Sequence, residues 1–146
     1  MPQDLDKNPT TARYAWALLL TLVLGAILWW VLVTSQARAQ GFEQILVADH
    51  YLDPNGELWI RLENTALEDA YITRMDAGHA RVFPALRIRF ATVSDWVMVN
   101  NTGITGQIEE TYELPLSIVY SLPHSGVQDR RSEGLLRGQL THTKPT

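Results

Sequence analysis

From Tyr14 to Val33 the chain reads YAWALLLTLVLGAILWWVLV, twenty residues without a charge, and the uncharged run continues through Thr34, Ser35, Gln36 and Ala37 to Arg38. At a rise of about 1.5 Å per residue, twenty helical residues cover roughly 30 Å, the thickness of a bilayer's hydrocarbon core. The run has no polar face to turn toward water, so its length and composition predict a transmembrane helix over residues 14–37. Its flanks agree: Arg13, Tyr14 and Trp16 at one end, and Trp29, Trp30 and Arg38 at the other, put amphipathic rings and snorkelling cations at headgroup depth.

Ala37-Arg38-Ala39 before Gln40 has the A-x-A form of a signal-peptidase site, so a secreted domain released after Ala39 is an alternative. A signal-peptide core is usually about 7–15 residues, shorter than this one and without a Trp-Trp pair near its end. An uncleaved anchor is therefore the expectation. Lys7 and Arg13 precede the helix and Arg38 follows it, which places the N-terminus inside. With no second hydrophobic run, the rest of the chain is expected outside the cytoplasmic membrane. Residues 1–13 read as a polar tail, 38–43 as a linker, 44–142 as one folded domain and 143–146 as a polar C-terminal tail.

In the outer domain apolar residues recur with period two. Leu58, Ile60 and Leu62 alternate with Trp59, Arg61 and Glu63; Leu86, Ile88 and Phe90 alternate with Arg87 and Arg89; Leu116, Ile118 and Tyr120 alternate with Ser117 and Val119. Such alternation predicts strands with one buried and one wet face. Asp53-Pro54-Asn55-Gly56 is a turn in which Pro presets φ and Asn-Gly tolerates positive φ, joining Ile45–Leu52 to Glu57–Glu63 as a hairpin. Further strands are expected at Ala70–Asp76, Ala80–Phe90, Asp95–Val99, Glu113–Ser121 and Gly134–Thr141. About seven short strands in roughly a hundred residues predict a mainly β fold, an immunoglobulin-like β-sandwich, with a small open barrel as the alternative closure. The expected core takes Leu58, Ile60, Leu62, Ile72, Leu86, Ile88, Phe90, Leu116, Ile118 and Leu140.

The absence of cysteine removes disulfides, thiolate metal sites and a Cys nucleophile. A cupredoxin-type electron carrier on a membrane anchor lacks its Cys ligand here. Twelve cations against sixteen acids carry no footprint of a nucleic-acid binder. His50, His79, His124 and His142 fall in four separate segments without metal-ligand spacing, and no metal or cofactor is expected. Asp53, Asn55 and Glu57 have the oxygen spacing that opens a calcium loop, but Pro54 and Gly56 account for them as turn formers. Glu109, Glu110 and Glu113 beside Tyr112 read as a solvated loop rather than a paired-carboxylate site. Gly103 to Gly106 reads as a hairpin loop, and Asp129-Arg130-Arg131 as a solvated turn. No nucleophile elbow or phosphate loop occurs, and no catalytic residue is expected.

The expected contacts are with protein. Trp59 and Arg61 fall on the wet face of their strand and Trp96 precedes another, so they are candidate partner contacts, with packing beneath a loop as the plainer reading of Trp59. In the helix Thr21, Gly25 and Ala26 form a small-residue patch where another helix, that of a second copy included, can approach. Asn100-Asn101-Thr102 is a glycosylation sequon.

The hydrophobic helix, the hairpin ILVADHYLDPNGELWIRLENT and the later run YELPLSIVYSLPHSGV together resemble the membrane-anchored β-sandwich proteins of archaeal cell surfaces, including pilin-like proteins and stator-type subunits of the archaellum. The chain has no basic leader ending in a Lys/Arg-Gly processing site before Tyr14, and no acid between Tyr14 and Val33. The resemblance thus implies a permanently anchored accessory or structural subunit of a surface or membrane assembly, rather than a processed filament subunit. A small accessory subunit of a membrane oxidoreductase is the competing expectation.

Overall fold

The computed structural model describes residues 9–35 and 38–142. Two compact units divide the chain at Ser35. The first holds one helix, α1 (Pro9–Ser35), with Pro9 at the first helical position, where its missing N–H would have had no helical partner. The helix takes in Pro9–Arg13, which the sequence reading left in the polar tail; residues 1–8 of that tail lie outside the described residues. From Tyr14 to Trp30 every side chain is exposed, large apolar groups on all sides. Among the described residues no helix is long and apolar enough to cross a membrane. Beyond Trp30 the sequence runs on through Val31, Leu32 and Val33 without a charge.

The second unit is mainly β. Its strands are β1 (Arg38–Gln40), β2 (Ile45–Leu52), β3 (Leu58–Asn64), β4 (Ala70–Ala77), β5 (Ala80–Val82), β6 (Leu86–Ile88), β7 (Val97–Val99), β8 (Thr111–Leu122) and β9 (Val127–Gln139). A six-stranded sheet runs β1-β9-β8-β4-β5, with β6 also on β4, and a three-stranded sheet runs β2-β3-β7. Every pairing is antiparallel. Ile45, Leu52, Leu58, Ile60, Leu62 and Val99 of the small sheet share one core with Ile72, Met75, Ile88, Leu114, Leu116, Ile118, Tyr120 and Leu136 of the large one, which is a β-sandwich.

The Asp53–Gly56 turn forms as its residues dictate. The Asp53 carboxylate accepts the Asn55 N–H at 2.8 Å, the Asp53 carbonyl accepts the Gly56 N–H at 2.9 Å, and Gly56 sits at φ 86°. From there β2 and β3 zip back to Ile45↔Asn64, with a bulge between Val47 and Asp49. Pro115 is tolerated within β8 because β4 ends opposite Leu116, so the donor it lacks has no ladder partner to lose.

Several expectations are corrected. The strand placed over Ala80–Phe90 is two strands on the edge of β4, separated by Phe83-Pro84-Ala85. Pro84 has no N–H to donate and Ala85 takes a positive φ of 46°. Phe90 is not core: β6 ends at Ile88, the chain turns through Ala91 at φ 52°, and Phe90 is 52% exposed. Leu86 is only partly buried, while the other eight expected core residues are buried. The linker over 38–43 contains strand β1, paired with β9 from Arg38↔Arg137 to Gln40↔Leu135. Arg130 and Arg131 lie in β9, opposite Tyr120 and Val119, not in a turn. The strand placed over Asp95–Val99 begins at Val97. Gly103 to Gly106 form no hairpin but belong to a long connection from β7 to β8. That connection is tied down by backbone bonds from Thr102 N–H to Gly56 O and from Gly106 N–H to Pro54 O. Nine strands form among the described residues, where about seven were expected; the additional ones are short edge pieces with too few apolar residues to show alternation.

Candidate functional site

The outer face of the three-stranded sheet gathers the outer-domain partner candidates. Pairing from the Asp53–Gly56 turn sets Tyr51 opposite Trp59, and Trp59 opposite Met98. Tyr51 and Trp59 stack with centroids 6.2 Å apart, and Trp96 meets Tyr51 edge-on at 5.7 Å. Arg61 lies over the Trp96 ring at 5.7 Å, with its Nε donating to the Ser94 carbonyl at 3.4 Å. Trp59, Arg61 and Trp96 are thus brought together, half-buried against one another, and Met98 stays exposed beside them. Tyr51 completes the cluster and was missed. Counting outward from the Asn-Gly turn places it opposite Trp59, so the signal was available.

Acids surround these rings. Asp49 is paired across from Arg61 and Glu63 lies two residues further along β3 on the same face. Burial, followed by the charges of Asp53 and Glu57, pushes the Tyr51 hydroxyl pKa up. The cluster is therefore an apolar and aromatic centre in an acidic frame, with one cation held over an indole.

The helix candidates are in the other unit. Thr21 donates its hydroxyl to the Ala17 carbonyl at 2.9 Å, so it is used within its own helix, while a Cβ at Gly25 would meet nothing within 4 Å beyond its chain neighbours and the helix's own backbone. Asn100 is exposed after β7. Its sequon partner Thr102 is buried and donates its hydroxyl to the Gly56 carbonyl at 3.0 Å.

The residues screened for chemistry are scattered. His142 contacts Asp53 at 2.7 Å, the His124 N–H reaches Glu68 at 2.6 Å, His79 is exposed and His50 is buried. Among the described residues no three His, Asp or Glu side chains are placed to hold a metal ion. Glu113 pairs with Arg137 at 2.8 Å on the outer face of the large sheet, Glu110 accepts the Gln107 N–H at 3.0 Å, and Glu109 sits in a turn at φ 69°. Asp53 and Asn55 are engaged with each other in the turn.

His50 is a buried polar group, as are Asn64, Ser94, Thr102 and Ser132. It is 3% exposed and meets Tyr112 of β8 edge-on at 6.3 Å. Its ring bonds the Arg137 backbone of β9, and Nε2 has no partner. The chain matches no protein-family model, no curated protein and no solved structure.

Proposed function

We propose that this chain is a single-span protein of the cytoplasmic membrane, N-terminus inside. Its extracytoplasmic immunoglobulin-like sandwich serves, without catalysis, as an accessory or structural subunit of a cell-surface or membrane assembly. The observation that carries this reading is the Tyr51–Trp59–Trp96–Arg61 cluster on the outer face of the small sheet. Tyr, Trp and Arg are the side chains that dominate binding energy at protein interfaces, because they bury much area at little conformational cost. With Asp49, Asp53, Glu57 and Glu63 around it, the face fits a protein partner presenting an apolar centre rimmed by cations.

Strand order supports the immunoglobulin-like reading. A hairpin, β2–β3, pairs with β7 in one sheet, while β4, β8 and β9 form the other, as strands A, B, E and C, F, G do in that fold. The membrane reading rests on the charge-free run Tyr14–Val33 and its aromatic and basic flanks. Retention of the anchor is supported by β1, since cleavage after Ala39 would remove Arg38 and Ala39 from a strand that caps β9.

The test is mass spectrometry of the native complex extracted in mild detergent, with wild-type chain and Trp59→Ala. An intact N-terminus with a stoichiometric partner that is lost in the variant supports the reading. A chain that begins at Gln40, or a partner retained equally by the variant, overturns it.

A further inference from the structure

One long side of the sandwich is closed by contacts between β2 and the β9 segment with its continuation. Ser132 of β9, buried, accepts the Glu43 N–H at 2.9 Å and donates to the Ile45 carbonyl at 2.9 Å. Further along, His50 bonds the Arg137 backbone. Beyond β9, Thr141 N–H reaches the Leu52 carbonyl at 3.0 Å, and His142 reaches Asp53. β2 pairs with β3 on its other side, so this row of contacts, together with Ile45 and Leu52 in the shared core, holds β2 to the large sheet.

His50 occupies the middle of that row, where burial disfavours the protonated ring more than the Arg137 backbone bond and the Asp49 charge favour it. Nε2 is buried without a partner, so a proton placed there would be a buried charge with nothing to accept it. On its own strand the nearest acid is Asp49, whose carboxylate already accepts the His50 backbone N–H at 2.8 Å. From β8 the neighbour is Tyr112, whose buried hydroxyl has its pKa pushed up and so supplies no counter-charge. Gly138 of β9 leaves Tyr112 its space, since a Cβ there would stand 3.1 Å from the hydroxyl. Arg137 of β9 offers its backbone, while its guanidinium is paired with Glu113.

We propose that the β2–β9 side of the sandwich is an acid-sensitive latch: neutral His50 holds it shut, and protonation of His50 releases β2 from the large sheet. The bulge between Val47 and Asp49 makes β2 a strand already interrupted in its pairing with β3, and release would uncover its edge for another chain. The direction follows from burial, which lowers the His50 pKa from its ordinary value near 6.5. The unfolded chain therefore binds a proton that the folded one refuses, and stability falls as pH drops below about 6.5.

The experiment uses the full chain in detergent micelles. Amide exchange is followed at pH 7 and pH 5 for wild type, His50→Gln and His142→Asn, and imidazole signals are titrated by NMR in the wild type. Expected are protection factors for 45–52 and 132–139 that fall about tenfold at pH 5 in wild type and His142→Asn but not in His50→Gln, with His50 titrating below its ordinary value near 6.5. Equal loss of protection in His50→Gln, or a His50 ring that titrates at or above its ordinary value near 6.5, overturns the proposal. Should His50→Gln not fold, the wild-type titration and protection factors decide alone.

Discussion

Tyr51 and Trp59 lie ring over ring across the β2–β3 pair, their planes 3° from parallel. The stack stands on the outer face of a sheet whose inner face is already full, so its contribution to the core is small. Aromatic pairs of this kind contribute about 0.5–1.5 kcal/mol beyond the area they bury. Trp59→Ala is expected to lower stability by about 1–2 kcal/mol, as measured by denaturant unfolding of the sandwich. A loss above about 4 kcal/mol would mean that the cluster is part of the core rather than a surface.

Asn64 is the opposite case, a polar side chain with no exposure at the end of β3. Its Nδ2 donates to the Glu68 carbonyl at 2.8 Å and the Ile88 carbonyl at 3.0 Å, and its Oδ1 accepts the Ala66 N–H at 3.0 Å. One side chain thus ties the β3–β4 connection to the end of β6. Asn64→Leu strands those backbone groups in the interior, at about 1–3 kcal/mol for each buried group left unpaired. A loss of about 3 kcal/mol or more is expected in thermal unfolding, and Asn64→Asp should not restore it, because a carboxylate cannot donate to the two carbonyls.

How much of this was legible in the sequence depended on local chemistry. The β2–β3 hairpin was readable because Asp53-Pro54-Asn55-Gly56 fixes its own backbone and hence the register on both sides. His50 was not, because the bulge at Ala48 shifts the alternation of β2: strict period two from Ile45 would point Asp49 and Tyr51 inward, whereas His50 and Leu52 are the buried ones. Phe90 misled because alternation does not mark where a sheet stops; Asp69 stops it there by accepting the Phe90 N–H at 2.8 Å. The first half of β9, VQDRRSE, alternates nothing, since up to Arg131 it is exposed or only half-buried. The aromatic cluster was half legible. Trp59, Arg61 and Trp96 were singled out, but the contact of Trp96 with Tyr51 depends on how the chain enters β7, which no local pattern encodes.

Asp69 gives a pH signature distinct from that of a buried histidine. Its carboxylate pKa is held below the usual range, first by the Phe90 N–H, then by Arg87, whose Nε donates to it at 2.9 Å. A carboxylate whose pKa is depressed by folding stabilises the fold above its unfolded value, near 3.9, and loses that contribution as pH falls through the folded value. Asp69→Asn should therefore flatten the acid side of the stability profile below about pH 4 while leaving the range above pH 5 parallel to wild type. Thermal unfolding of both proteins from pH 3 to pH 7 checks it, and unchanged curvature below pH 4 would show that neither the Phe90 N–H nor the Arg87 contact carries weight in solution.

Leu24 stands near the middle of the charge-free run, ten residues from Tyr14 and nine from Val33. If that run crosses a bilayer, a charge at Leu24 lies at the depth where an arginine costs about 2.5–3.5 kcal/mol on the scale set by insertion experiments. The remaining leucines, valines and isoleucine partly offset this, so Leu24→Arg alone should lower the inserted fraction without abolishing it. Leu24→Arg with Leu20→Arg should release most of the chain. Tyr14→Lys, at the expected headgroup depth, should change nothing, because a lysine there reaches water. Carbonate extraction of membranes from cells expressing each variant reads the outcome directly. A graded loss in that order fits a spanning helix, whereas three variants that partition alike would show that the apolar helix is covered by protein and not by lipid.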